Sequence, residues 1–128
     1  MNRHQESKNP PAWLEYFSDG PNAGIFAEPI QKIGVLIVPT LTMYEVFKVA
    51  LREQGEDAAL QAIAIMKQGQ EVGLNSNLAI QAAKTSFDLK IPMADAVILT
   101  TARHFHAELW TQDDDFAGIS GVKYFPKP

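Results

Sequence analysis

The sequence predicts an α/β fold, a three-layer α/β/α sandwich built on a short parallel sheet. Three observations carry that reading. Val35-Leu36-Ile37-Val38 is continuous, mostly β-branched and flanked by Gly34 and Pro39, the pattern of a strand buried on both faces. Segments of helical periodicity follow it and alternate with further short apolar runs. Within Ile91 to Phe116, a helix start leads into Glu108 to Thr111, which reads as another buried strand and ends abruptly in Asp113, Asp114 and Asp115.

The polar segment 1–11 ends in Asn9-Pro10-Pro11 and is expected to be extended or disordered, because paired prolines fit neither a helix interior nor a central strand. A single domain is expected over 12–128. It opens with a short helix carrying Trp13, Leu14, Tyr16 and Phe17 and closed by the turn residues Ser18-Asp19-Gly20-Pro21. A second helix, Asn22 to Ile30, is expected to turn Ile25, Phe26 and Ile30 inward. After the Val35 strand, Thr40 or Thr42 caps a helix in which Leu41, Tyr44, Phe47, Val49 and Leu51 recur, and Gly55 breaks it. Glu56 to Gln68 reads as a helix through Ala59, Leu60, Ile63 and Ile65 or Met66, and Glu71 to Leu74 as a weak strand. Asn75 or Ser76 caps the next helix, whose Leu78, Ala79, Ala82, Ala83, Phe87 and Leu89 are expected to face the core. Pro92 suits a helix start, and Ala94, Val97, Ile98, Thr101, Ala102 and Phe105 form its apolar stripe. Val122 to Phe125 makes the last strand.

Composition narrows the function classes. At 128 residues, with 46% apolar and 20% charged residues, the chain is an ordinary globular domain large enough for a real core. The absence of cysteine excludes disulfides, cysteine nucleophiles and thiolate zinc sites. No apolar run approaches the ~20 residues of a membrane span, and the first residues lack a signal-peptide core, so a cytoplasmic protein with no membrane contact is expected. Eleven Lys and Arg against fifteen Asp and Glu give a net charge of −4, which argues against a module that binds nucleic acid mainly by phosphate neutralisation. It argues less against a nuclease, whose acids hold cations.

The acids have a structural logic. Glu45 lies in the helix after the first strand, Asp95 opens a helix near its positive dipole end, and Asp113 to Asp115 follow a strand. Right-handed crossovers gather the C-terminal ends of parallel strands, so these carboxylates can converge. A convergent set of oxygen ligands suits Mg²⁺ or Mn²⁺ and points to metal-assisted phosphodiester hydrolysis. Taken singly, each acid is more often a helix-dipole, solvated or turn residue. His4, His104 and His106 do not have metal-triad spacing. Trp110 and Tyr44 read as packing residues, and Lys48 and Arg103 as solvated cations.

In order, WLEYF, VPTLTMYEVFK, PMADAVILTTA and LWTQDDDFAGISGVKYF resemble the PIN-domain family, specifically VapC-type toxins, from about Trp13 to Phe125. The resemblance implies a Mg²⁺- or Mn²⁺-dependent endoribonuclease acting on RNA, inhibited by a cognate antitoxin and usually a homodimer. Glu45, Asp95 and Asp113 match the family's catalytic, metal-binding acids, with Asp115 as an accessory ligand. One departure stands out. Related PIN domains begin with a central strand ending in Asp shortly before the WLEYF-like helix, and here Asn9 occupies that place, so the central N-terminal strand is expected to be absent or irregular.

An altered start, a degenerate toxin, or pairing by the polar Arg3 to Ser7 would each account for Asn9. Asn9 predicts weak or absent metal binding and RNA cleavage. The competing expectation is a catalytically inactive PIN fold that engages an antitoxin or dimerises. A phosphoryl-accepting signalling domain ranks lower, because its acids would follow the first strand.

Overall fold

The computed structural model describes residues 12–31 and 36–128. The expectations for 1–11, including Asn9 and the central N-terminal strand, and for Val35 lie outside the described residues.

Helix α1 (Ala12–Phe17) ends where Ser18 folds back, its N–H and Oγ both donating to the Leu14 carbonyl at 2.9 and 2.8 Å. Asp19 adopts a left-handed backbone (φ 55°), and the chain re-enters helix as α2 (Ala23–Gln31). Strand β1 (Ile37–Pro39) runs directly into α3 (Thr40–Gln54). Gly55, at φ 96°, separates α3 from α4 (Glu56–Met66), a break that favours a residue without Cβ. Strand β2 (Gln70–Val72) then pairs in parallel with β1, Ile37 opposite Gln70 and Pro39 opposite Val72.

Helix α5 (Ser76–Leu89) is capped by Asn75, whose Oδ1 accepts from Leu78 N at 2.9 Å. Helix α6 (Met93–His104) starts behind Pro92, and β3 (Leu109–Thr111) follows it. A 3-10 turn, Asp114–Phe116, leads to β4 (Val122–Tyr124), which pairs in parallel with β3, Leu109 opposite Val122. Among the described residues the architecture is thus mixed α/β, with two short parallel ladders, β1–β2 and β3–β4, and most residues in helices.

Two apolar clusters hold the elements. One joins α1, α2, β1, α3 and α4 around Trp13, Phe26, Leu36 and Met66. The other joins α5, α6 and β3 around Ile98, Leu99, Leu109 and Phe116. Helix α6 is buried continuously from Asp95 to Ala102, so it carries more than the expected stripe and is enclosed on all sides.

Several expected core residues face outward instead. Ile25, Tyr44, Leu51, Leu60, Leu89 and Phe105 are exposed, Phe87 is 83% exposed, and of the alternatives Ile65 and Met66 it is Met66 that is buried. Phe87 lies nine residues beyond buried Leu78, and nine steps of about 100° bring it to the opposite face of α5. Neither Thr40 nor Thr42 caps α3. The cap position is Pro39, Thr40 is already helical, and the buried Thr42 hydroxyl has no hydrogen-bond partner among the described residues. The weak strand ends at Val72 rather than Leu74, and exposed Glu108 precedes β3 rather than belonging to it. Among the described residues, no helix is long and apolar enough to cross a membrane.

The α5 cap gives a direct test. Asn75→Ala is expected to cost about 1 kcal/mol and Ser76→Ala only a few tenths, measured by urea unfolding. Equal losses would contradict the assignment of the cap to Asn75.

Candidate functional site

The site is assembled by three separate elements. Asp95 sits in the first turn of α6, where Pro92 provides no side-chain cap and the carboxylate meets the positive end of the helix dipole. It is nonetheless fully enclosed, 0% exposed. Asp113 follows β3 and is likewise 0% exposed. Its Oδ1 accepts from Asp115 N at 3.0 Å and so caps the 3-10 turn. That turn brings Asp115 round to the same side. Carboxylate oxygens of Asp95, Asp113 and Asp115 all lie within 4.8 Å of one another. Asp114, between the last two, is exposed.

Glu45 joins them from the second turn of α3. Its carboxyl is pushed up from 4.5 to about 8, first by burial and then by the charges of Asp95 and Asp113. Its Oε1 is buried with no hydrogen-bond partner among the described residues. The four acids expected from sequence are therefore brought together. Asn9 lies outside the described residues. His104 and His106 are exposed at the end of α6 and take no part in the acidic group.

Ionised carboxylates about 4.8 Å apart repel by roughly 3.5 kcal/mol per pair at an intermediate dielectric. A divalent cation removes that penalty, and hard carboxylate oxygens are the donors Mg²⁺ or Mn²⁺ prefers. The orphaned Glu45 oxygen and the close oxygens of three aspartates fit such an ion.

Some supporting residues were not anticipated from sequence. Thr111 Oγ1 accepts from Asp113 N at 3.0 Å and fixes the backbone where the acid leaves the strand. The Thr-x-Asp spacing was a legible signal for this turn. Gln112, buried, makes side-chain hydrogen bonds to Glu15 and Asn22, which no local pattern signals. Trp110 is buried, with Lys123 Nζ 4.9 Å from its ring centroid, as fits a packing residue. Tyr44 is not one: it is 61% exposed, with Lys48 Nζ 5.8 Å from its ring centroid.

The PIN domain family model matches residues 12–122. The chain belongs to the PIN domain family. Its fold is similar to that of a toxin-antitoxin complex from Klebsiella pneumoniae, at 23% identity and a TM-score of 0.77, covering 91% of this chain and 94% of that one. It is similar also to Mycobacterium tuberculosis VapC20, described as a sarcin-ricin loop cleaving toxin, at 17% identity and a TM-score of 0.74, covering 94% and 95%. Rickettsia felis VapBC2, solved bound to a DNA fragment from its promoter, matches at 10% identity and a TM-score of 0.71, covering 98% of each chain. No curated protein sequence matches the chain.

The raised Glu45 pKa sets a pH dependence. The folded state holds this proton more tightly than the unfolded chain, so its contribution to stability is complete below pH 4.5 and is lost as pH rises through about 8. The stability of the metal-free protein relative to Glu45→Gln is therefore expected to fall across that interval and level off above it. Urea unfolding of both proteins over the range checks this, and a constant difference would contradict it.

Proposed function

We propose that the protein is a Mg²⁺- or Mn²⁺-dependent endoribonuclease toxin of a toxin-antitoxin pair, its activity lowered by Asn9 at the first acidic position. The observation that carries the reading is the convergence of Glu45, Asp95, Asp113 and Asp115 from α3, α6 and the end of β3 on one partly enclosed point. The family and the fold of the three toxin-antitoxin neighbours agree with it.

Asp95, Asp113 and Asp115 would hold the ion, with Glu45 completing the acidic set. Bound there, a divalent ion supplies a water of lowered pKa and neutralises charge developing on a phosphodiester. The chain's own contribution is placement and proton handling. Asp95 is fixed by a buried helix, Asp113 and Asp115 by the 3-10 turn, and Glu45 keeps a proton on its carboxyl up to about pH 8 in the metal-free protein. To act as a ligand Glu45 would have to give up that proton, so metal affinity is expected to rise with pH.

The partners are an RNA substrate, a cognate antitoxin and a second copy of the chain, in the cytoplasm. Outward-facing Ile80, Phe87 and Met93 on α5 and the start of α6 support a protein partner, since exposed apolar groups of this size favour contact surfaces. A second reading, an inactive PIN fold that only engages an antitoxin or dimerises, is favoured by Asn9 alone.

Mn²⁺ at a hundredfold excess over its dissociation constant is expected to stabilise the protein by about 2.7 kcal/mol, roughly 10 °C in Tm for a domain of this size. Asp95→Asn should abolish that shift in differential scanning fluorimetry. Mn²⁺-dependent cleavage of an RNA panel is expected to be weak, to increase in Asn9→Asp and to vanish in Asp95→Asn. Stabilisation without cleavage in either protein would favour the inactive reading, and no Mn²⁺ response at all would overturn the metal site.

A further inference from the structure

Gln112 has its side chain enclosed and both ends of its amide engaged by residues far away in sequence. Its Oε1 accepts from Asn22 Nδ2 at 3.0 Å, and its Nε2 donates to Glu15 Oε1 at 3.3 Å. Glu15 Oε2 in turn accepts from Asn22 N at 2.7 Å, and Asn22 Nδ2 also reaches the Pro126 carbonyl at 3.3 Å. Asn22 and Gln112 are both buried. The connection between α1 and α2 is shaped for this contact: a Cβ at Gly20 would collide with the Glu15 carboxylate. The group therefore forms a closed clasp between the α1–α2 connection and the end of β3.

We infer that Gln112, held by Glu15 and Asn22, is the positioning residue for Asp113. The inference rests on reading the acidic cluster as a divalent-cation site. Gln112 is the immediate chain neighbour of Asp113, so anchoring its side chain fixes the backbone from which the carboxylate projects. On the other side of that peptide, Thr111 Oγ1 accepts from Asp113 N at 3.0 Å. The acid then has little freedom beyond its own side-chain rotation. Magnesium and manganese sites need this, because oxygen–metal distances of about 2.0–2.1 Å for Mg²⁺ tolerate only small ligand displacement.

The residue type follows from the partners. One faces Gln112 with a donor, the other with an acceptor, and a side-chain amide answers both. A carboxylate at 112 would oppose Glu15. An apolar side chain would leave the clasp without its link to β3, although the Glu15–Asn22 and Asn22–Pro126 hydrogen bonds would still hold the α1–α2 connection.

The test uses Gln112→Met, which keeps the volume and removes both hydrogen bonds, with MnCl₂ titration by calorimetry and metal-free Tm as separate readouts. The expected result is a 10- to 100-fold weaker Mn²⁺ dissociation constant, the range for residues that orient metal ligands. Asn75→Ala, a destabilised control remote from the cluster, should retain wild-type Mn²⁺ affinity. The exchange variant Glu15→Gln/Gln112→Glu trades amide for carboxylate while allowing the same hydrogen bonds, and should recover affinity to within about threefold of wild type. Mn²⁺ affinity in Gln112→Met within twofold of wild type would overturn the inference and leave the metal site standing, as would failure of the exchange variant to recover. A wild-type protein that binds no Mn²⁺ would overturn both.

Discussion

The structure depends on concentrating negative charge where water is scarce. Asp95 and Asp113 are wholly enclosed, and Glu45 and Asp115 are largely so. In that setting each additional ionised carboxylate costs several kcal/mol unless it is offset by a proton, by N–H donors or by a cation. Two of these offsets are present: burial and the neighbouring charges push the Glu45 carboxyl up to about 8, favouring its protonated form, and Asp113 accepts from the turn that follows it. The remaining demand suits a divalent cation, which is why acidic residues so placed are better read as a site than as a fault in the core.

This constraint explains why the surrounding elements are so firmly fixed. Helix α6 is buried continuously from Asp95 to Ala102, so packing fixes the helix from which the Asp95 carboxylate projects. Asp113 has no helix beneath it. It leaves a three-residue strand and depends on hydrogen bonds: Phe125 N to the Thr111 carbonyl at 2.9 Å, its own N–H to Thr111 Oγ1, and the Gln112 side chain to Glu15 of α1 and Asn22 of the α1–α2 connection.

That difference also governs what could be read from the chain. Asp95 was legible because a proline followed by an acid before an apolar periodic run is a local helix-start signal. Asp113 and Asp115 were legible because an apolar run stopped abruptly in acids. Glu45 was visible only through its place after a strand. The outward turn of Tyr44, Leu51 and Phe87 was missed because periodicity locates an apolar stripe without showing how much of it the neighbouring elements cover. Buried Thr42, Met43, Val46 and Ala50 define the inner face of α3, a mixture of small and large residues in which Tyr44 and Leu51 gave the louder but misleading signal. The clasp was invisible for a different reason: Gln112 meets partners 90 and 97 positions away, and nothing within a local window encodes such a pairing.

The commonplace reading of each acid and the functional one are not rivals here. Asp95 does offset the dipole of α6, and Asp113 does cap a 3-10 turn. Those local roles are how the chain keeps the carboxylates in place while no cation is bound, since hydrogen bonds and dipoles partly compensate charges that would otherwise push apart. A carboxylate with no such role would tend to swing toward water or to take up a proton. Glu45 is that case. It lies beyond the first turn of α3, its buried Oε1 has no partner among the described residues, and burial together with the charges of Asp95 and Asp113 pushes its carboxyl up to about 8. Its raised carboxyl makes Glu45 a proton-sensitive member of the group, answering in its own protonation to the charges that Asp95 and Asp113 bring beside it.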